Sequence, residues 1–280
     1  MLKLQRAKTL AICGATVACC VIAASALATH SWGGYHWART TPQFTLKLGD
    51  NMSADWKPYL QQASLDWNYD GSSTPLLTAI VTGQANRRCS TVAGTTQVCN
   101  GKYGNNGWLG LATIYITGGV HITQGSAKMN DTYFTLAKYN NPNEKQHVVC
   151  QEVAHTFGLD HQSTDGSSLN TCMDYFSNTG TNATSTASIH PNAHDFEELG
   201  IIYAHLDSTT TVATLSTTQA ARSDVTEDPL TWGSLIRQSP DGRSSVYQQF
   251  HQDGSMSLTH VYWTEETAAA CPSCDHRVYR

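Results

Sequence analysis

The chain has 280 residues, of which 40% are apolar, 9% aromatic and 14% charged. This is globular composition and excludes a wholly disordered chain. Seventeen Lys and Arg against 22 Asp and Glu give a net charge of −5, so no basic surface proposes nucleic acid as a partner.

Lys3, Arg6 and Lys8 precede an apolar run from about Leu10 to Ala24, followed by Ala26-Leu27-Ala28. A basic start, a short apolar stretch and an A-x-A pattern read as a secretory signal peptide over residues 1–28, cut after Ala28. The rival reading is a membrane anchor, either the uncleaved helix or lipid on Cys19 or Cys20. Cleavage would leave 252 residues with a net charge of −8, secreted to a periplasmic or extracellular space and free of the membrane. Cys13, Cys19 and Cys20 depart with the signal, and six cysteines remain. An even count in an oxidising compartment predicts disulfides, although several connectivities stay open. Proximity in sequence favours Cys89–Cys99, Cys150–Cys172 and Cys271–Cys274. Cys271-Pro-Ser-Cys274 also has the spacing of a redox pair or half a zinc knuckle, but it lacks a strand-to-helix context.

In chain order, Gln43–Leu48 reads as a strand. Ala54–Asn68 reads as a helix, with Trp56, Tyr59, Leu60, Ala63 and Trp67 near one face. Pro75–Val81 is a second strand, and Cys89–Cys99 a stapled hairpin or loop. A Gly/Asn-rich turn over residues 100–107 leads into the strand Trp108–Ile116, and Val120–Gln124 forms another short strand. Helices are expected over Glu144–Gly158 and Pro191–Leu206, the latter capped by Asn192 with Asp195 three residues on. Strands and helices mixed in this way predict an α+β domain over residues 29–206. Residues 207–218 hold eight Ser or Thr among twelve and read as a linker. Residues 219–280 read as a small β-rich C-terminal region, a meander ending in Leu258–Trp263, with no chemistry of its own.

The chemistry is concentrated between His147 and His161. Residues four apart share a helix face, so positions 151 and 155 can address one metal ion. Gly158 lets the chain turn away from the helix axis, and His161 can then close on the same ion. Glu152 stands beside position 151, placed to handle the proton of a water without being a ligand.

These residues resemble the metzincin metalloproteases, the matrixin-like branch in particular. The signature H-E-x-x-H-x-x-G-x-x-H followed by a Met-turn is matched by Gln151, Glu152, His155, Gly158, His161 and Met173. Leu109–Thr113 resembles the matrixin edge strand, and Asp195–Leu206 the closing helix. Tyr175 stands where astacins and serralysins carry a Tyr after the Met. The resemblance covers about residues 40–206. It implies a twisted mixed sheet, an active-site helix, a Met-turn, a C-terminal helix and one catalytic Zn2+. It further implies Glu152 as general base, Met173 as a floor under the metal, and Tyr175 as a fifth ligand or transition-state stabiliser. An extended peptide would add as a strand beside residues 109–115.

One ligand departs from the signature: the first His is Gln151. An amide oxygen is neutral and a weaker donor than imidazole. His147 is a poor substitute, because eight residues of helix rise about 12 Å. Gln151, His155 and His161 are therefore the expected metal ligands. Cys150 precedes Gln151 and Cys172 precedes Met173, so a bond between them would staple the metal helix to the Met-turn. The remaining histidines, including His36, His121, His205 and His260, read as surface or core. The expected function is a secreted, monomeric zinc endopeptidase acting on extended peptide or protein substrates. The alternatives are a metalloprotease-like binding protein impaired by Gln151, or a surface protein whose tail carries the function.

Overall fold

A computed structural model describes residues 30–69, 71–84, 88–213, 221–222 and 224–278. The expected signal peptide, its cleavage point, Cys13, Cys19 and Cys20 lie outside the described residues, as do residues 214–220. The elements are β1 (His36–Trp37), β2 (Phe44–Asn51), α1 (Lys57–Trp67), β3 (Leu76–Thr82), β4 (Thr91–Val92), β5 (Thr95–Gly101), β6 (Trp108–Thr117) and β7 (His121–Asn130). After these come α2 (Asp131–Phe134), α3 (Pro142–His155), α4 (Ala193–Ile202), β8 (Ala221–Arg222), β9 (Ser234–Gln238), β10 (Ser244–Phe250), β11 (Met256–Trp263) and α5 (Glu265–Ala270).

One nine-stranded mixed sheet dominates, in the order β3-β2-β5-β7-β6-β11-β10-β9, with β1 pairing with β7. Strands β1, β2, β3, β5 and β7 run parallel to one another, whereas β6 lies antiparallel to both β7 and β11. The C-terminal region is thus not the separate appendage expected from its composition. Its meander continues the main sheet, and β11 pairs with β6 along its length. This overturns the expectation of an open edge at residues 109–115, since the chain's own last strand occupies it. The supposed linker is also tied down in its first half: Thr211 donates from its backbone to Ala38 O and Ala213 to Gly94 O, both 2.9–3.0 Å.

Burial explains why β11 is held there. Leu258 and Tyr262 pack into the main core beneath α1 and α3, whereas Val261 and Trp263 join a second core with Trp108, Tyr115, Trp232 and Tyr247. A strand covered on both faces is apolar on both, and a slip of one residue would exchange the two sets.

Helix α3 begins earlier than the hydrophobic pattern suggests. Pro142 sits in its first turn and the Asn141 side chain accepts from Glu144 N, 2.9 Å, a strong start signal. It ends at His155, and Gly158 (φ +97°) makes the bend that follows. A Cβ at Gly158 would run into Tyr35 O, so side chains are excluded there by both conformation and space. Helix α4 carries the reciprocal Asn192–Asp195 cap but spans only Ala193–Ile202. Strand β7 runs to Asn130, beyond the five residues expected, because Gly125, Ser126 and Lys128 disguise a strand buried in mid-sheet. Asn130 is fully buried, its amide nitrogen sharing its two N–H groups among Gly104 O, Asn106 Oδ1 and Trp108 O.

Candidate metal centre

Helix α3 presents Gln151, Glu152 and His155 to the interior, all with no exposed surface. His155 Nδ1 lies 2.9 Å from Leu159 O. A carbonyl only accepts, so the proton sits on Nδ1 and leaves Nε2 with a bare lone pair. That Nε2 is buried and has no hydrogen-bond partner, and the same holds for His161 Nε2. The bend at Gly158 brings His161 round to His155, with ring centroids 4.6 Å apart. His161 is oriented by Asp160, whose Oδ1 accepts from the His161 backbone N–H at 2.9 Å.

A third imidazole completes the group, and it comes from the far end of the chain. His260 on β11 stands opposite Ala112 of β6, its ring 3.9 Å from that of His155 and 4.8 Å from that of His161. One ligand nitrogen on each of His155, His161 and His260 lies within 4.8 Å of the others. His260 Nδ1 lies 3.4 Å from Glu152 Oε2, and its Nε2 lies 3.0 Å from Ser244 Oγ. Glu152 Oε1 is left without a partner.

Gln151, expected as the first ligand, is engaged differently through its nitrogen. The amide Nε2 donates to Cys172 O and Asp174 O, both 3.0 Å, while Oε1 is buried without a hydrogen-bond partner. Two carbonyls on one atom leave no doubt which end is nitrogen. The amide therefore fastens α3 to the turn that carries Met173, and the Cys150–Cys172 disulfide makes a second, covalent link between them. Cys89–Cys99 and Cys271–Cys274 are also bonded. His147 stands one turn before Gln151, its Nε2 3.3 Å from the amide nitrogen. Met173 is fully buried in the main core, and the Tyr175 ring lies 4.1 Å from that of His161. Trp32 stacks on the other side of His155, 5.0 Å away and nearly parallel.

Burial sets the electrostatics. Loss of water lowers the His155 pKa to about 4 and takes His161 and His260 well below the ordinary imidazole range. All three are neutral at physiological pH, as metal ligands must be. The same burial raises Glu152 well above the usual carboxylate range. Three neutral imidazoles with two orphaned Nε2 atoms fit a zinc-type cation. On one side lies a cavity of about 300 Å3 lined by His161, Tyr175, Asp160, Arg237, Ser244 and His30, with Arg237 ion-paired to Asp160 across it.

The sequence pattern grouped His155 and His161, whose rings lie 4.6 Å apart, but did not single out His260. The signal available was the gap itself: a signature lacking one imidazole, in a chain whose last strand carries one.

No family model matches the chain, and no curated protein does. Among solved structures it is similar to High choriolytic enzyme 1, a hatching-enzyme zinc protease of the medaka fish Oryzias latipes. The identity is 10% and the TM-score 0.34, over 62% of this chain and 96% of that one. A likeness this slight assigns neither a family nor an activity.

Proposed function

We propose that the protein is a secreted zinc-dependent endopeptidase of metzincin-like type, in which His260 supplies the imidazole that position 151 lacks. The observation that carries this reading is the convergence of His155, His161 and His260 beside Glu152. His155, His161 and His260 would hold the ion, and Gln151 would position the helix through its amide nitrogen. A bound Zn2+ supplies Lewis acidity to a carbonyl and to water. Glu152 would take a proton from water at its Oε1, which has no other partner, and return it to the leaving amine. His260 Nδ1 keeps the carboxylate turned toward the ligand cluster. Because β11 fills the strand position beside β6, substrate would reach the centre through the cavity at His161, Tyr175 and Arg237.

Hydrolysis of an unstructured protein by the full chain tests the reading. Chelator should abolish it, Zn2+ should restore it, and Glu152→Ala should lower it by about 10²–10⁴-fold. Activity indifferent to both would overturn it.

A second reading is favoured by one observation, the burial of Glu152 beneath a strand lying where substrate was expected. In it, β11 is an internal occupant that keeps the chain an impaired, binding-only protein. Cutting the chain within residues 214–220 and removing the C-terminal piece separates the two. The proposal expects zinc and activity to be lost together, whereas the second reading expects hydrolysis to rise.

A further inference from the structure

Away from this centre, a second group of imidazoles is gathered around one carboxylate. Parallel pairing of β1 with β7 puts His36 opposite His121, and the chain leaving α4 brings His205 and Asp207 against them. His36 Nε2 lies 3.2 Å from His205 Nε2 and 3.5 Å from Asp207 Oδ1, and His205 Nε2 lies 3.6 Å from the same oxygen. Three donors bound to one tetrahedral zinc at about 2.0–2.1 Å would stand about 3.3–3.4 Å apart. The three observed edges bracket that value. His121 Nε2 approaches the same Oδ1 from another side, at 3.2 Å.

His36 Nδ1 lies 2.8 Å from Gly34 O, which fixes its proton there and leaves Nε2 a lone pair in the neutral ring. That lone pair faces His205 Nε2 at 3.2 Å and Asp207 Oδ1 at 3.5 Å. Asp207 Oδ2 is already occupied by the Arg39 backbone N–H, 2.9 Å, so the carboxylate is locked with Oδ1 aimed at the imidazoles. A backbone carbonyl holding one ring nitrogen while the other points at a common centre is the usual outer support of a metal-bound histidine. His36 is buried whereas the His205 side chain is 56% exposed, so the ion could enter from solvent.

We propose that His36, His205 and Asp207 form a second site for a divalent transition metal of the zinc type, with His121 bracing the carboxylate from beside it. Imidazole donors select against Mg2+ and Ca2+, which prefer oxygen. An ion there clips β1 to the segment that leaves α4, closing a loop of the chain that contains Glu152, His155 and His161. The inference shares no residue with the catalytic proposal and does not depend on it.

The test strips the full-length protein of metal, reloads it with Co2+ and counts bound cobalt by elemental analysis, with visible absorption reporting coordination. Two cobalt per chain are expected in the wild type. His205→Gln, a change at a half-exposed side chain, should lose one and keep the other. His155→Gln should also lose one, and the ion it retains should disappear when His205→Gln is added. If only the catalytic proposal fails, the wild type binds one cobalt, which His205→Gln removes and His155→Gln does not. Cobalt binding that His205→Gln leaves unchanged overturns the second site.

Discussion

On the proposed reading, Gln151 and His260 divide between them the work of one missing imidazole. The amide nitrogen of Gln151 satisfies two buried carbonyls, at Cys172 and Asp174. Gln151→Ala should therefore cost about 1–3 kcal/mol in stability while the protein still binds zinc; urea titration beside metal analysis reads both. Zinc lost with Gln151→Ala would return that side chain to the ligand set through its unpartnered Oε1. His260→Ala should lose zinc from this centre outright. Gly110 lies under the same carboxylate, since a methyl group there would run into Glu152 Oε1. Gly110→Ala should displace the base and reduce turnover by about 10²-fold with the fold intact, which circular dichroism and steady-state kinetics check together.

Between elements, the tie that matters most is the one joining α3 to the Met173 turn. The Cys150–Cys172 bond spans 22 residues, and its loss through a double Cys→Ala change should cost about 3 kcal/mol. A thermal melt without reductant would show it. Local signals made α3 legible in the sequence: the i, i+4 spacing, Gly158 at the bend and Asn141-Pro142 at the start all act within a few residues of where they are read. The placement of β11 was not legible. Strand pairing across more than a hundred residues leaves no local periodicity, and Ser257, Thr259 and His260 give a doubly buried strand a polar look. His36, His121, His205 and Asp207 were scattered for the same reason, brought together by a two-residue parallel pairing and by the chain after α4.

Across the molecule, the interior holds ionisable groups whose burial gives stability a pH dependence. Glu144, fully buried in the first turn of α3, has its pKa raised to about 7 by desolvation, although Asn178 N–H donates to its Oε2 at 2.7 Å. Its folded form retains a proton that the unfolded chain releases near the ordinary 4.5, so its burial costs nothing at pH 4 and increasingly more up to pH 7. Glu144→Gln should match wild type at pH 4 and become the more stable of the two toward pH 8, as denaturant midpoints at the two pH values would report. Buried His147, lowered to about 4 by desolvation, works in the opposite sense. It must gain a proton on unfolding at acid pH, so its contribution is full above about 6.5 and is lost as pH falls toward 4.

Strand β11 also bears on timing. On the proposed ligand set, His155 and His161 are synthesised about a hundred residues before His260, and β6 waits longer still for β11. A growing chain thus carries two of the three imidazoles without the third that would complete the proposed centre. On that ligand set, the centre exists only when the last strand has been delivered and docked, so an unfinished or truncated product would hold no ion there.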